Sequence, residues 1–135
     1  KAFGAVRVDK ETPKWHFRFE SGKFNADSFI SMLNQLARYY KGRRIHLIID
    51  NARYHKSHKV RTWVAENEGK LKLHPLPPYS PQLNATEYVW RKVKRLTTHN
   101  RYFATVKELY SELFKGFNRL QGNPASLRST IAGFA

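Results

Sequence analysis

Arg44-Ile45-His46-Leu47-Ile48-Ile49-Asp50 (RIHLIID, residues 44–50) decides how this chain folds. It is a short, β-branched, nearly continuous apolar run of strand length, the type buried on both faces in the middle of a sheet. The run closes on a carboxylate. Where strands feed into helices, the residue at the carboxyl end of a central strand faces the crevice in which ligands bind, and burial of the strand behind it holds it rigid. Asp50 is therefore the first candidate functional residue. The alternative is that Asp50 and Asn51 only start a turn or cap the next helix.

Outward from this run the pattern alternates between strand and helix. On its C-terminal side, Val60, Trp63 and Val64 predict a short helix ending near Gly69, and Lys70 to Leu76 (KLKLHPL) alternates like a strand until Pro77-Pro78. On its N-terminal side, Phe29, Met32, Leu33, Leu36 and Tyr40 recur at helical spacing, with Asn25 as N-cap and Gly42 beyond the last turn. Further out, Ala2–Val8 and Lys14–Phe19 read as a hairpin across a polar turn, with Trp15, Phe17 and Phe19 alternating with Lys14, His16 and Arg18. The order is ββαβαβ. The last third is helical: Asn84-Ala85-Thr86-Glu87 and Thr105-Val106-Lys107-Glu108 are capping signals ahead of two apolar stripes, and Leu127 and Ile131 mark a final short turn. No repeat or dividing linker interrupts the chain, so an α/β fold in one domain over 1–135 is expected.

Among 135 residues, 25 Lys and Arg face 10 Asp and Glu, a formal charge of +15, while 41% hydrophobic and 14% aromatic residues are enough to fill a core. Such a domain repels itself unless it meets a polyanion, and nucleic acid is the expected partner because each phosphate neutralised releases counterions. No apolar run is longer than three residues, as in Leu47-Ile48-Ile49, far short of the roughly 18 that span a bilayer, so no membrane partner is expected. With no Cys there is no disulfide, thiolate metal site or Cys nucleophile. The cations cluster at Arg38, Lys41, Arg43 and Arg44, at Lys56, Lys59 and Arg61, and at Arg91, Lys92, Lys94 and Arg95. The last two clusters are expected to contact DNA phosphates, positioning the duplex without reading its sequence; the other reading is a solvated surface.

Carboxylates are scarce, with Asp only at 9, 27 and 50. A hard divalent cation needs oxygen ligands, and a carboxylate fixed at a strand end is a good first one. Glu87, three residues after Asn84, is either a capping-box Glu or a second metal ligand, and the first turn of a helix suits both roles. Pro77, Pro78 and Pro81 stiffen its approach. His55 and His58 could pair for zinc but have no third ligand nearby in sequence.

Two motifs carry a family resemblance. Asp50-Asn51-x-x-x-His55-Lys56 follows the strand, and Leu76-Pro77-x-Tyr79-Ser80-Pro81-x-Leu83-Asn84-x-x-Glu87 leads into a helix, with 36 residues between Asp50 and Glu87. Together they resemble the catalytic domain of DDE transposases of the mariner-like, bacterial insertion-sequence type, over essentially the whole chain. Relatives often carry Pro and an aliphatic residue where this chain has Ala85-Thr86. The resemblance implies an RNase H-like mixed sheet flanked by helices, and metal-dependent cleavage and transfer of DNA strands at transposon ends and target. It also implies two Mg²⁺ or Mn²⁺ ions held by three carboxylates, with Asp50 second and Glu87 third and with Asn51 and His55 lining the pocket.

In the family the first acid lies on a central strand that precedes the hairpin, and this chain begins after it. The chain is thus expected to be N-terminally partial, without that strand or its Asp. Asp9 falls in the hairpin turn and Asp27 in the first turn of a helix, where turn chemistry and the helix dipole explain them. An open sheet edge invites pairing, so a homo-oligomer, possibly strand-swapped, is expected. In a bacterium the location would be cytoplasmic and nucleoid-associated. The alternatives are a non-catalytic DNA-binding or assembly domain derived from a decayed transposase, and a nuclease of the same fold.

Overall fold

The computed structural model describes residues 1–134. In chain order the elements are β1 (Ala2–Arg7), β2 (Lys14–Phe19), α1 (Ala26–Tyr39), β3 (Ile45–Ile49), α2 (His58–Glu66), β4 (Leu71–Pro75), α3 (Ala85–Thr97), α4 (Val106–Gln121) and α5 (Pro124–Thr130). Short 3-10 turns lie at Arg53–Lys56, Pro81–Leu83 and Ala132–Phe134. These elements form two compact units, one of residues 1–3 with 18–84 and one of 4–17 with 85 onward.

The first unit is built on the parallel pair β3–β4, in register from Ile45 opposite Leu71 to Ile49 opposite Pro75. The ladder continues past both ends, with Ile45 N–H donating to Lys70 O and Leu76 N–H to Ile49 O, each at 2.8 Å. Asn25 starts α1 through a reciprocal capping box: its Oδ1 accepts from Ser28 N–H, and Ser28 Oγ accepts from Asn25 N–H, both at 2.9 Å. Helix α1 then buries Phe29, Met32, Leu33 and Leu36. Phe29 and Leu33 join Ile49, Val60 and Leu71 in one apolar cluster that cements β3 and β4 to the helices. Each such buried side chain contributes about 1.5–3 kcal/mol.

Strand β3 is not buried on both faces. Ile45, Leu47 and Ile49 turn inward, whereas His46 is exposed and Ile48 is 59% exposed. The reason is topological. Among the described residues β3 pairs with β4 alone, and the sheet is two two-stranded pieces, β1–β2 and β3–β4. The absence of a strand on the other edge of β3 matches the expectation that the central strand is missing from the sheet.

In the second unit β2 presents Trp15, which is fully buried. Its ring centroid lies 5.7 Å from Trp90 of α3 and 5.8 Å from Phe117 of α4. Val89, Val93, Leu120, Leu127 and Ile131 complete this core. Thr105 Oγ1 caps α4 by accepting from Glu108 N–H at 3.1 Å, while the Glu108 carboxylate reaches back to Ala104 N–H at 3.0 Å, one residue further than a capping box predicts.

Gly4 lies directly against the indole of Trp15, so that an added methyl would run into the ring. Gly4→Ala should therefore destabilise the protein by about 1–3 kcal/mol through overpacking, read from the midpoint of urea unfolding. A second departure from the sequence pattern is His16, on the opposite face of β2 from Trp15 yet also buried. Burial lowers its pKa to about 4, with the charges of Lys14 and Arg7 acting in the same direction. Its unfolded counterpart takes up a proton near 6.5, before the folded protein does, so stability is full above that pH and is lost as pH falls toward 4. The unfolding free energy should drop by at most about 1.4 kcal/mol per pH unit across that window, and His16→Gln should flatten the slope.

Candidate functional site

Asp50 follows β3 directly, and its position is set by the β3–β4 register behind it. Its side chain is 60% exposed, while His55, on the following 3-10 turn, is 8% exposed. His55 Nδ1 lies 3.1 Å from both the Asp50 carbonyl oxygen and Asp50 Oδ1. Both neighbours are acceptors, so Nδ1 carries the proton and donates to them. Asp50 Oδ1 also accepts from Ala52 N–H at 3.0 Å. The turn reading of Asp50 and the functional one therefore hold together: the carboxylate shapes its own turn through one oxygen and leaves Oδ2 outside those bonds.

The imidazole of His55 is wedged between Phe29 at 4.3 Å and Tyr54 at 4.6 Å, centroid to centroid. Burial raises the pKa of the Tyr54 phenol, and the charge of Asp50 adds to the effect. Asn51 turns the other way, its Nδ2 donating to Leu76 O at 3.0 Å, and so ties the end of β3 to the exit of β4. Asp50, His55 and Lys56 line a cavity of about 680 Å³ together with Arg44, Arg61 and Lys72. Its floor is apolar, with Ile49, Val60 and Leu71 among the lining residues. Arg44 and Lys72 were not singled out with Asp50 in the sequence; only the β3–β4 pairing brings them to one rim.

The expected phosphate contacts divide. Lys56 and Arg61 are exposed at the cavity, but Lys59 is held by Asp27, 3.1 Å from its Oδ1, which gives Asp27 a structural partner. Asp9 likewise serves its turn: its Oδ1 accepts from Glu11 and Thr12 N–H at 2.8 Å each, and the Thr12 and then the Glu11 hydrogen bond lower its pKa. Glu87 is exposed in the first turn of α3 and belongs to the second unit, as do Arg91, Lys92, Lys94 and Arg95. Lys92 is half-buried and donates to Ser126 O at 3.2 Å, joining α3 to α5, while Arg91 lies over the Tyr88 ring. Lys94 and Arg95 remain exposed. Among the described residues no three His, Asp or Glu side chains gather as a metal-binding group. No helix among them is long and apolar enough to cross a membrane.

Residues 2–110 match the family model of the DDE superfamily endonucleases. The chain is 34% identical over 86 residues to the uncharacterized 39 kDa protein of insertion element IS630 from Shigella sonnei, covering 63% of this chain and 25% of that protein. It is 31% identical over 83 residues to the uncharacterized protein y4pE/y4sA of Sinorhizobium fredii, covering 62% of this chain and 58% of that one. The chain thus spans a quarter to somewhat over half the length of these relatives. Among solved structures, the Mos1 transposase catalytic domain with raltegravir and Mg superposes with a TM-score of 0.62 at 17% identity, over 95% of this chain and 72% of that one. The same domain with Mn gives 0.63 at 15% identity, over 98% and 81%. The Mos1 strand transfer complex gives 0.58 at 17% identity, over 95% and 41%. The α/β elements of this chain are therefore those of the RNase H-like transposase fold, as its motifs led one to expect.

The hydrogen bonds of His55 make a spectroscopic prediction. A long-range proton–nitrogen correlation spectrum at mildly alkaline pH should show His55 as the Nδ1–H tautomer; an Nε2–H pattern would remove the link between His55 and Asp50.

Proposed function

The chain belongs to the DDE superfamily endonuclease family, and from that premise we propose that it serves as the catalytic domain of a DNA transposase, cutting and transferring DNA strands with Mg²⁺ or Mn²⁺. The observation that carries this reading is Asp50: a solvent-facing carboxylate at the end of a strand anchored in the core, steered by a buried histidine, on a cavity rimmed by Arg44, Lys56, Arg61 and Lys72. The donor chemistry suits the ion, since Asp50 offers a hard cation a carboxylate whose Oδ2 is outside the turn's own hydrogen bonds, and Glu87, in the other unit, is an exposed carboxylate of the same kind. When bound, a pair of such ions supplies activation of the attacking oxygen and stabilisation of the leaving one. The chain's own residues do the rest. His55 holds the Asp50 carboxylate in one orientation, Asn51 braces the strand end from the other side, and the rim cations draw the phosphate backbone toward the carboxylate.

We assign the two units to one RNase H-like domain whose first carboxylate comes from a strand pairing with the free edge of β3, in the same polypeptide or in a partner copy. Pairing across copies would produce the strand-swapped homo-oligomer. In a bacterium the domain would act in the cytoplasm, at the nucleoid. A second reading, a binding or assembly domain without catalysis, draws on one observation: among the described residues the carboxylates do not gather as a set of three.

Nicking of supercoiled plasmid in Mn²⁺ separates the two. The wild-type chain should nick, and Asp50→Ala and Glu87→Ala should each lower the rate about a hundredfold or more with unchanged circular dichroism. Nicking by Asp50→Ala at the wild-type rate sinks the catalytic assignment. Salt-sensitive DNA binding without nicking by any variant means either that the first carboxylate must be supplied before strands are cut or that the domain only binds.

A further inference from the structure

Tyr79 stands at the tip of the loop between β4 and the Pro81–Leu83 turn, and its side chain is 100% exposed. Its φ is +55°, in the left-handed region that glycine enters freely and that a residue with a large side chain avoids. The other non-glycine residue in that region among those described is Asn100, of a type that tolerates it. A strained backbone is normally offset by what the side chain contacts, yet the Tyr79 side chain is fully exposed among the described residues. Glycine would satisfy the turn better.

The loop is nevertheless held at both sides. Leu76 is bound to the end of β3 through Ile49 O at 2.8 Å and through Asn51 Nδ2 at 3.0 Å. Beyond the tip, Ser80 Oγ donates to Pro78 O at 3.2 Å and Leu83 N–H to Ser80 O at 3.1 Å. With Pro77, Pro78 and Pro81 around it, the ring is presented on a stiff support whose root is the residue pair that follows β3. At about 3.3–3.6 Å per residue, the tip is within roughly 11 Å of Leu76, the residue bonded to Ile49 and Asn51.

A rigid, fully exposed aromatic ring in a chain of charge +15 suits one class of ligand: an unpaired nucleobase, whose flat π-face stacks on the ring while the cations hold its phosphates. We propose that Tyr79 is a stacking platform for an unpaired DNA base beside Asp50. This rests on the DNA-cleaving assignment above and adds to it the recognition of a locally unpaired strand.

The test is binding of labelled oligothymidine and of a labelled duplex in EDTA, followed by fluorescence anisotropy. Tyr79→Gly should weaken single-strand binding about tenfold or more, because stacking is lost, and leave duplex binding, carried by phosphate contacts, nearly unchanged. It should melt at the wild-type temperature or above, since the strained φ is relieved, which separates lost stacking from misfolding. Tyr79→Phe should bind single strands within about twofold of wild type, since the ring and not the hydroxyl is needed. Unchanged single-strand affinity in Tyr79→Gly overturns the proposal while leaving the DNA reading intact. A change in oligomeric mass without a change in single-strand affinity also overturns it and assigns the ring to a contact between copies. Failure of the wild type to bind even duplex overturns both readings.

Discussion

The parallel pairing of β3 with β4 is the constraint on which the candidate site depends. A parallel pair cannot be closed by a tight turn; the chain must cross over, and here the crossover is the segment from Asp50 to Lys70 that carries Asp50, His55 and α2. The register places Ile45, Leu47 and Ile49 with Leu71 and Leu73 on the face toward Phe29, Leu33 and Val60. A slip of one residue would bury His46 and Ile48 and expose Ile49, so the apolar cluster admits one register. The position of the Asp50 backbone follows from that choice, before any interaction of its own side chain is counted.

What then distinguishes Asp50 from the other two aspartates is the company it keeps. Asp9 gives its oxygen to two backbone N–H groups of its own turn, and Asp27 faces the exposed ammonium of Lys59. Both are arrangements in which the carboxylate serves local structure. Asp50 is held partly by a backbone N–H but also by an imidazole that is itself locked between Phe29 and Tyr54. A buried ring cannot change rotamer without disturbing the core, so the orientation of the carboxylate is inherited from packing. This is a costly way to make a turn and an effective way to present one free oxygen.

Much of this was legible in the sequence. The strand and helix order, the Asn25 and Thr105 caps, and the Asp50 turn follow from local patterns that the tertiary structure leaves intact. The misses came where local pattern is silent about neighbours. A β-branched run such as Ile45–Ile49 looks the same whether one or two strands flank it, so the exposure of Ile48 could not be read from it. The burial of His16 depends on what covers the second face of β2, and alternation alone marks that face as polar. Arg44 and Lys72 meet at one cavity only because β3 and β4 are paired. The motif containing Tyr79 was recognisable as letters, but the positive φ at its centre is a property of the folded loop, since nothing in Pro-Tyr-Ser-Pro demands a left-handed tyrosine.

Charge connects these local facts to the partner. The exposed ion pairs, such as Lys59 with Asp27 and Arg101 with Glu112, are screened by solvent and contribute little. They cannot neutralise a chain with 25 cations and 10 carboxylates. The folded protein therefore carries self-repulsion, and Arg44, Lys56, Arg61 and Lys72 outnumber Asp50 and Glu68 around one cavity with an apolar floor. A small anion would relieve it only transiently, because a single phosphate releases few counterions. A polymer of phosphates would neutralise several of these cations and release many counterions at once, which is the physical ground for the nucleic-acid reading proposed above.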